Sequence, residues 1–239
     1  MKLLALETST EACSVALHFD GRVLERHEIA PRRHAELTLA WVGELLAEAG
    51  IARTQLDAIA CSRGPGAFTG VRLAVAMVQG LALALDRPAI GVSTLDVLAR
   101  PAMRELDAAG DARTGVLAAI DARMGEVYLA DYLRDAGGQW QRQGEERVLV
   151  PTAVTLPDAL PRVGVGTGFA AENAVLAKTL TAQLVRLEAE ALPRAADVAE
   201  LALAAFARGE AVAPEHLQPA YLRNKVALTL AEQGKPVPR

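Results

Sequence analysis

Residues 1–29 read MKLLALETSTEACSVALHFDGRVLERHEI, which is two largely apolar runs and a third, mixed polar and apolar run, separated by two short polar turns. Such runs, bounded by turn residues, are typical of strands, and we predict strands over Leu3–Leu6, Ala12–His18 and Arg22–Ile29. Asp20-Gly21 supplies the positive φ angles that a tight hairpin needs. The chain therefore opens with a three-stranded meander.

Helices and strands alternate after this meander, because the apolar spacing changes to a helical period. In chain order we predict a helix over His34–Ala49, a strand over Asp57–Ser62, a helix over Phe68–Leu85, a strand over Pro88–Val92 and a helix over Thr94–Leu106. The polar stretch Asp107–Asp111 is the best candidate for a domain boundary.

The order of elements starts again after this boundary. We predict strands over Gly115–Ile120, Glu126–Tyr132, Trp140–Val150 and Arg162–Gly166, helices over Phe169–Leu180 and Arg194–Arg208, and room for a short helix in Pro151–Leu160. The repetition predicts an α/β chain with a duplicated ribonuclease-H-like fold, the ASKHA architecture of actin, sugar kinases and Hsp70. It consists of two β-β-β-α-β-α units, of which the second is reduced. The predicted domains are residues 1–108 and 109–225, followed by a flexible tail over residues 226–239.

Composition excludes several classes of protein. The 239 residues carry 25 Lys and Arg against 29 Asp and Glu, a net charge of −4, and 51% are hydrophobic. This balance excludes disorder for most of the chain and disfavours direct nucleic-acid binding by the chain alone. The apolar stretch Leu73–Leu85 is shorter than the ~20 residues that span a bilayer, and Leu3–Leu6 is too short for a secretory signal. We therefore expect a cytoplasmic protein without a membrane partner, with Cys13 and Cys61 as buried reduced thiols.

Two loops could bind a phosphate. The first, Thr8, Ser9 and Thr10, joins the first two strands, and the second contains Gly64, Gly66, Thr69 and Gly70 between a strand and a helix. Amides at a helix N-terminus attract anions. The second loop is neither a Walker A sequence nor GxGxxG. Both loops have an alternative interpretation, in which the hydroxyls satisfy a turn locally and the glycines form a tight structural turn.

Catalytic signatures are sparse. The four histidines, His18, His27, His34 and His216, form no metal-binding pair, and there is no GxSxG nucleophile. We predict no catalytic residue, no metal site and no cofactor. Asp121, Arg123 and Glu126 occupy a turn between strands, where they either form a solvated hairpin or part of a site, and their role stays open.

Two helices carry more apolar surface than one sheet can cover. The helix over Phe68–Leu85 has few strongly polar side chains, and in the helix over His34–Ala49 the apolar residues form two stripes. Either both helices pack entirely within their own domain, or their second faces bind a partner. We predict the latter, with an interface consisting of His34, Leu37, Trp41, Leu45, Arg72, Val75, Ala76, Gln79, Gly80, Leu83 and Ala84.

Six segments together resemble the TsaB family, formerly called YeaZ. They are LALETST (4–10), SRGPGAFTGVR (62–72), GLALAL (80–85), IGVSTL (90–95), DARMGEVY (121–128) and YLRNK (221–225). The resemblance runs from Met1 to about Ala227. It implies the fold predicted above and a place in the machinery that forms N6-threonylcarbamoyladenosine at position 37 of tRNAs reading codons that begin with A.

The resemblance also implies partners and a lack of catalysis. It implies a non-catalytic subunit that binds the catalytic relative TsaD through its N-terminal helices, with TsaE as a further member of the complex and a homodimer when TsaD is absent. TsaD carries a metal-binding His pair, and the matching positions here are Thr94 and Leu98, which cannot replace two imidazoles. The alternative function is a small ATP-dependent phosphotransferase, for which Glu7 and Asp121 are the candidate Mg²⁺ ligands.

Overall fold

The computed structural model describes residues 1–223, so the predicted tail over residues 226–239 lies outside the described residues. In chain order the elements are Leu3–Glu7 (β1), Ala12–Phe19 (β2), Arg22–Ile29 (β3), His34–Ala49 (α1), Ala58–Ser62 (β4), Phe68–Leu85 (α2), Ala89–Val92 (β5), Thr94–Ala108 (α3), Gly115–Arg123 (β6), Glu126–Arg134 (β7), Trp140–Arg142 (β8), Arg147–Leu149 (β9), Arg162–Val165 (β10), Ala171–Thr179 (α4), Leu184–Glu188 (β11) and Ala195–Ala207 (α5).

The strands form two sheets with the same topology. The first sheet has the order β3-β2-β1-β4-β5, and the second has the order β11-β10-β6-β7-β8, with β9 also paired to β7. In each, the central strand pairs antiparallel with the next strand of its meander and parallel with the strand that follows a crossover. This shared topology confirms the duplicated ribonuclease-H-like fold. Beyond the β-β-β-α-β-α pattern the first unit has β5 and α3, which the element-by-element analysis predicted. The second unit ends in β11 and α5 and, within the described residues, has no α-helix between β9 and β10.

Helices α1 and α2 cover one face of the first sheet. Their inward side chains join alternate residues of β1, β2 and β4 in one apolar cluster, because successive strand residues point to opposite faces. Gly50 ends α1 with φ +66, and Asp86 ends α2 with φ +54. Both ends adopt the left-handed conformation that commonly stops a helix.

The last helix of each unit packs against the sheet of the other unit. Helix α3 packs its apolar face mainly on β6, β7 and β10 of the second sheet, whereas α5 packs on β1, β2 and β4 of the first. Salt bridges join the two helices: Arg104 Nη1 lies 2.6 Å from Asp197 Oδ1, and Arg100 Nη2 lies 2.5 Å from Glu200 Oε1. The packing of α3 and α5 therefore does not follow the predicted division at residue 108.

Three further differences from the sequence-based elements concern the second unit. The predicted strand Trp140–Val150 is interrupted rather than continuous: β8 and β9 run in the same direction along β7, both antiparallel to it, and the polar segment between them breaks the pairing. Pro151–Leu160 contains a single 3₁₀ turn over Pro151–Ala153. Strand β11 was not predicted, since an edge strand with exposed side chains lacks an alternating pattern.

Candidate functional site

A cleft of about 1070 Å³ separates the loops at one end of the two sheets. Its walls come from both units: the turn after β1, the N-terminal ends of α1 and α2, the β6–β7 hairpin and the start of α4. Arginine side chains contribute from several directions, together with Asp121 and the aromatic rings of Phe68 and Tyr221. The arginines that line the cleft are Arg32, Arg72, Arg123 and Arg223.

The two candidate phosphate loops pack directly against each other. The Thr8 hydroxyl donates to the Gly70 carbonyl at 2.7 Å, and the Ala67 amide donates to the Ser9 carbonyl at 2.7 Å. A Cβ at Gly66 would lie 2.5 Å from the Ser9 carbonyl oxygen, and one at Gly70 would lie 1.9 Å from that of Thr8. The glycines are therefore required by close backbone packing.

Only part of the predicted phosphate-binding set faces the cleft. Ser9, Thr10 and Gly66 line it, whereas Thr8 and Gly70 are buried in the contact between the loops. Gly64 is also buried, and Thr69 is exposed without lining the cleft. A role of these loops in phosphate binding stays a prediction.

The two candidate Mg²⁺ ligands lie in different environments. Glu7 is fully buried, and its Oε1 accepts hydrogen bonds from the Ser9 amide and hydroxyl at 2.6 and 2.5 Å. Burial raises the pKa of the Glu7 carboxyl above its ordinary value. Asp121 lines the cleft and forms a salt bridge with Arg123, with 2.7 Å between Oδ2 and Nη1. In residues 1–223 there is no group of three or more His, Cys, Asp or Glu side chains arranged to bind a metal.

Thr94 and Leu98 lie one turn apart near the start of α3. Both are buried, and the Thr94 hydroxyl has no hydrogen-bond partner among the described residues. Leu98 packs in the apolar cluster between α3 and the second sheet. A Cβ at Gly166 would lie 2.5 Å from Leu98 Cδ2. At these positions the chain thus has a hydroxyl and a close-packed aliphatic side chain.

Several residues of the predicted partner interface are not available to a partner. Leu37, Leu45 and Val75 are buried against the first sheet or its neighbouring core. They lie on the helix stripes that the protein's own core covers, so a direct contact of these three residues with a partner stays a prediction that this conformation does not support. Trp41 is half-buried and packs against two of these apolar clusters.

Three polar residues of the predicted interface have hydrogen-bond or cation–π partners within the chain. His34 Nε2 lies 2.9 Å from the Thr10 carbonyl oxygen, and Gln79 Nε2 donates to the Leu217 carbonyl at 2.9 Å. The Arg72 guanidinium lies 3.2 Å from the centroid of the Phe68 ring. These side chains stabilise local structure.

The rest of the predicted set lies at exposed positions of α2, and α1 has an exposed apolar stripe of its own. Leu83 is 72% exposed and Leu39 is 52% exposed. A Cβ at Gly80 or at Gly43 would meet no atom within 4 Å. We call this surface the α1–α2 face; it consists of Leu39, Ala40, Gly43 and Ala47 on α1 and Ala76, Gly80, Leu83 and Ala84 on α2. Leu39, Ala40, Gly43 and Ala47 were not in the predicted set, and only the packing shows which stripe of α1 is left uncovered.

Helix α2 is long and apolar enough to cross a membrane by length and composition, and it is the one such helix within residues 1–223. Its buried side chains pack on the first sheet, as in the core helix of a globular domain.

Comparison with known proteins identifies the family. The model of the family described as TsaD, tRNA N6-adenosine threonylcarbamoyltransferase, matches residues 26–230. An Escherichia coli protein named tRNA threonylcarbamoyladenosine biosynthesis protein TsaB is 45% identical, covering 95% of this chain and 96% of that protein. A Haemophilus influenzae protein of the same name is 40% identical, covering 95% of each.

A solved structure agrees with these relatives. YeaZ from Pseudomonas aeruginosa is 47% identical and superposes with a TM-score of 0.79, covering 92% of this chain and 99% of that one. The chain therefore belongs to the TsaD-type family of tRNA threonylcarbamoyladenosine proteins, and within that family it is a member of the TsaB (YeaZ) group.

Proposed function

We propose that this protein is a non-catalytic subunit of the system that forms N6-threonylcarbamoyladenosine at position 37 of tRNAs reading codons that begin with A. In this role it binds the catalytic subunit TsaD through the α1–α2 face, with TsaE as a further member of the complex. The observation that carries the proposal is an uncovered apolar face on two helices in a chain of the TsaB group.

The α1–α2 face has the form of a helix-packing surface. Small residues on both helices leave open space around Gly43 and Gly80, where another helix backbone can approach closely. Leu83 and Leu39 stand beside this space as large exposed side chains. Ridges of large residues pack into grooves of small ones when helices associate. Two helices from a partner would complete a four-helix bundle, and a second copy of this chain would occupy the same face when TsaD is absent.

The chemistry of α3 supports the non-catalytic part of the proposal. Thr94 and Leu98 hold the positions that the resemblance assigns to the His pair of TsaD. A leucine side chain has no donor atom for a metal. The alternative, an ATP-dependent phosphotransferase, gains no support from Glu7, because its buried carboxyl does not line the cleft.

The proposed location and nucleic-acid behaviour follow from the same role. We place the protein in the cytoplasm, where tRNAs are modified. With a net charge of −4, we expect no strong tRNA binding by the isolated chain. Filter binding at physiological salt tests this, and submicromolar retention of tRNA would contradict it.

Leu83→Glu and Gly80→Trp test the docking surface. Leu83 is largely exposed and a Cβ at Gly80 meets no atom within 4 Å, so the variants should fold like the wild type and lose capture of TsaD, by tenfold or more if about 2 kcal/mol of interface energy is removed. Trp41→Glu is less suitable, because Trp41 packs against the core.

Val185→Glu is the matched control, since Val185 is 63% exposed on the second sheet. TsaD pull-down and light scattering provide the readouts. Wild-type capture of TsaD by both folded α2 variants would place the interface elsewhere.

A further inference from the structure

The segment Leu217–Arg223, which we call the strap, crosses from the first unit to the second at the cleft. It begins in the first unit: Leu217 is buried beneath α2, and its carbonyl accepts the hydrogen bond from Gln79. The Ala220 amide then donates to the Arg63 carbonyl at 2.8 Å. The start of the strap is therefore fixed to the first sheet and α2.

The middle of the strap is held by a stack of side chains. The Arg72 guanidinium lies 3.2 Å from the Phe68 ring centroid and 4.7 Å from the Tyr221 ring centroid. Arginine over an aromatic face is attractive, most strongly where water is partly excluded. Arg72 thus connects the N-terminal end of α2 to the strap.

The end of the strap contacts the β6–β7 hairpin of the second unit. The Arg223 guanidinium forms a salt bridge with Glu126 and donates to the Arg123 carbonyl at 3.3 Å. It also lies 3.5 Å from Met124 Sδ. Its side chain is largely buried, whereas the neighbouring Arg123 side chain is exposed.

The hairpin turn presents these acceptors together. Arg123, Met124 and Gly125 have φ of +62, +58 and +76, so three consecutive residues of this tight turn are in the left-handed region. Arg123 and Glu126 are paired across the turn. One guanidinium can therefore reach the carbonyl of the first and the carboxylate of the second. Positive φ is uncommon for methionine, so this tight turn is a specific feature of the segment.

We propose that the strap is a clasp that fixes the width of the cleft, with Arg223 as the side chain that closes it. The exchanged helices α3 and α5 join the two units between the sheets, and the strap joins them again across the cleft. Loss of the Arg223 contacts leaves the connection through α3 and α5 intact and breaks the connection through the strap. The cleft then widens, with the α3–α5 pair as the hinge. This inference is independent of the proposed function, because it concerns the isolated chain.

The width can be measured with spin labels on the two walls. Glu11 and Ala170 are exposed, line the cleft and belong to different units; cysteines introduced there carry the labels, and the native Cys13 and Cys61 are buried. In the full chain, Arg223→Ala should shift the label distances to longer values. It should also raise the deuterium uptake of residues 121–128, by up to about fivefold for a partly exposed ion pair.

A mutant cycle and a control separate the clasp from general destabilisation. Glu126→Ala should reproduce the effect, and the double variant should add nothing to either single one. Arg208→Ala, which breaks the exposed Arg208–Glu210 pair, should change neither readout. The proposal is overturned if Arg223→Ala leaves distances and uptake at wild-type values, or if the two single effects add.

Discussion

Arg162 is a buried cation whose hydrogen bonds are all made within the chain. It is fully buried, and its guanidinium binds both Asp131 oxygens at 2.7 and 3.0 Å. Asp158 and the Leu160 carbonyl accept its remaining hydrogen bonds. All donors of the guanidinium are therefore satisfied, which is the condition under which a buried cation is tolerated.

Arg162→Met should lower the free energy of unfolding by about 3–5 kcal/mol, because it leaves Asp131 buried without its partner. Arg123→Ala is the control, since the Arg123 side chain is 82% exposed in its pair with Asp121, and it should cost no more than about 1 kcal/mol. Urea unfolding measures both. Equal losses of unfolding free energy in the two variants would show that the buried Arg162–Asp131 pair contributes no more than the exposed Arg123–Asp121 pair.

Glu7 should make stability depend on pH. Burial raises its pKa in the folded protein above the ordinary value of 4.5, so the folded state holds this proton more tightly than the unfolded state. The resulting stability is complete below pH 4.5 and is lost as pH rises through the folded-state pKa. Glu7→Gln keeps the shape and removes the titration. We therefore expect the variant to gain stability relative to the wild type as pH rises from 4.5 through the folded-state pKa of Glu7, measured by urea midpoints. A pH-independent difference would contradict this assignment.

At the scale of elements, α2 contains two glycines with opposite requirements. Gly70 packs against the Thr8 carbonyl, whereas Gly80 faces open space. Gly70→Ala should cost about 1–3 kcal/mol or more through overpacking. Gly80→Ala should stabilise the helix by up to about 1 kcal/mol, because alanine has the higher helix propensity. Thermal unfolding of the two variants gives the comparison, and destabilisation by Gly80→Ala would show that its surroundings are not open.

The same helix shows the limit of periodicity. Its composition predicts an apolar surface on more than one side, and the structure agrees. Which stripe faces the sheet depends on the angle at which the helix lies, so Val75 was assigned to the surface although it is buried. The same holds for Leu37 and Leu45 on α1. Side-chain spacing defines stripes, and packing decides which of them is covered.

For the whole molecule, the exchange of α3 and α5 should make the two units unfold together. Each half carries one tryptophan, Trp41 on α1 and Trp140 on β8. In Trp41→Phe and Trp140→Phe the remaining tryptophan reports one unit. In each variant we expect the urea midpoint from tryptophan fluorescence to coincide with the midpoint from circular dichroism of the same variant. Two separated transitions in one variant would mean that the units unfold independently.

The amino-acid sequence by itself determined the class of fold, the order of most elements and the family. These follow from local signals: apolar runs, Asp20-Gly21, and segments such as 62–72 and 121–128, whose residues are contiguous. It also singled out Asp121, Arg123 and Glu126 without assigning them a role. The contacts of Arg123 and Glu126 with Arg223 join positions about a hundred residues apart, which no local pattern records.

Tertiary structure alone decided the helix exchange, the strap and the exposed face. Both α3 and α5 have an apolar face, and the spacing of its residues does not record which of the two sheets that face covers. The candidate phosphate loops also depend on tertiary packing. Their glycines suggested a phosphate cradle, but the backbone of Ser9 and Thr8 occupies the space beside Gly66 and Gly70. Residue type sets what a position can do, and only the neighbours brought by distant parts of the chain decide which of those possibilities is used.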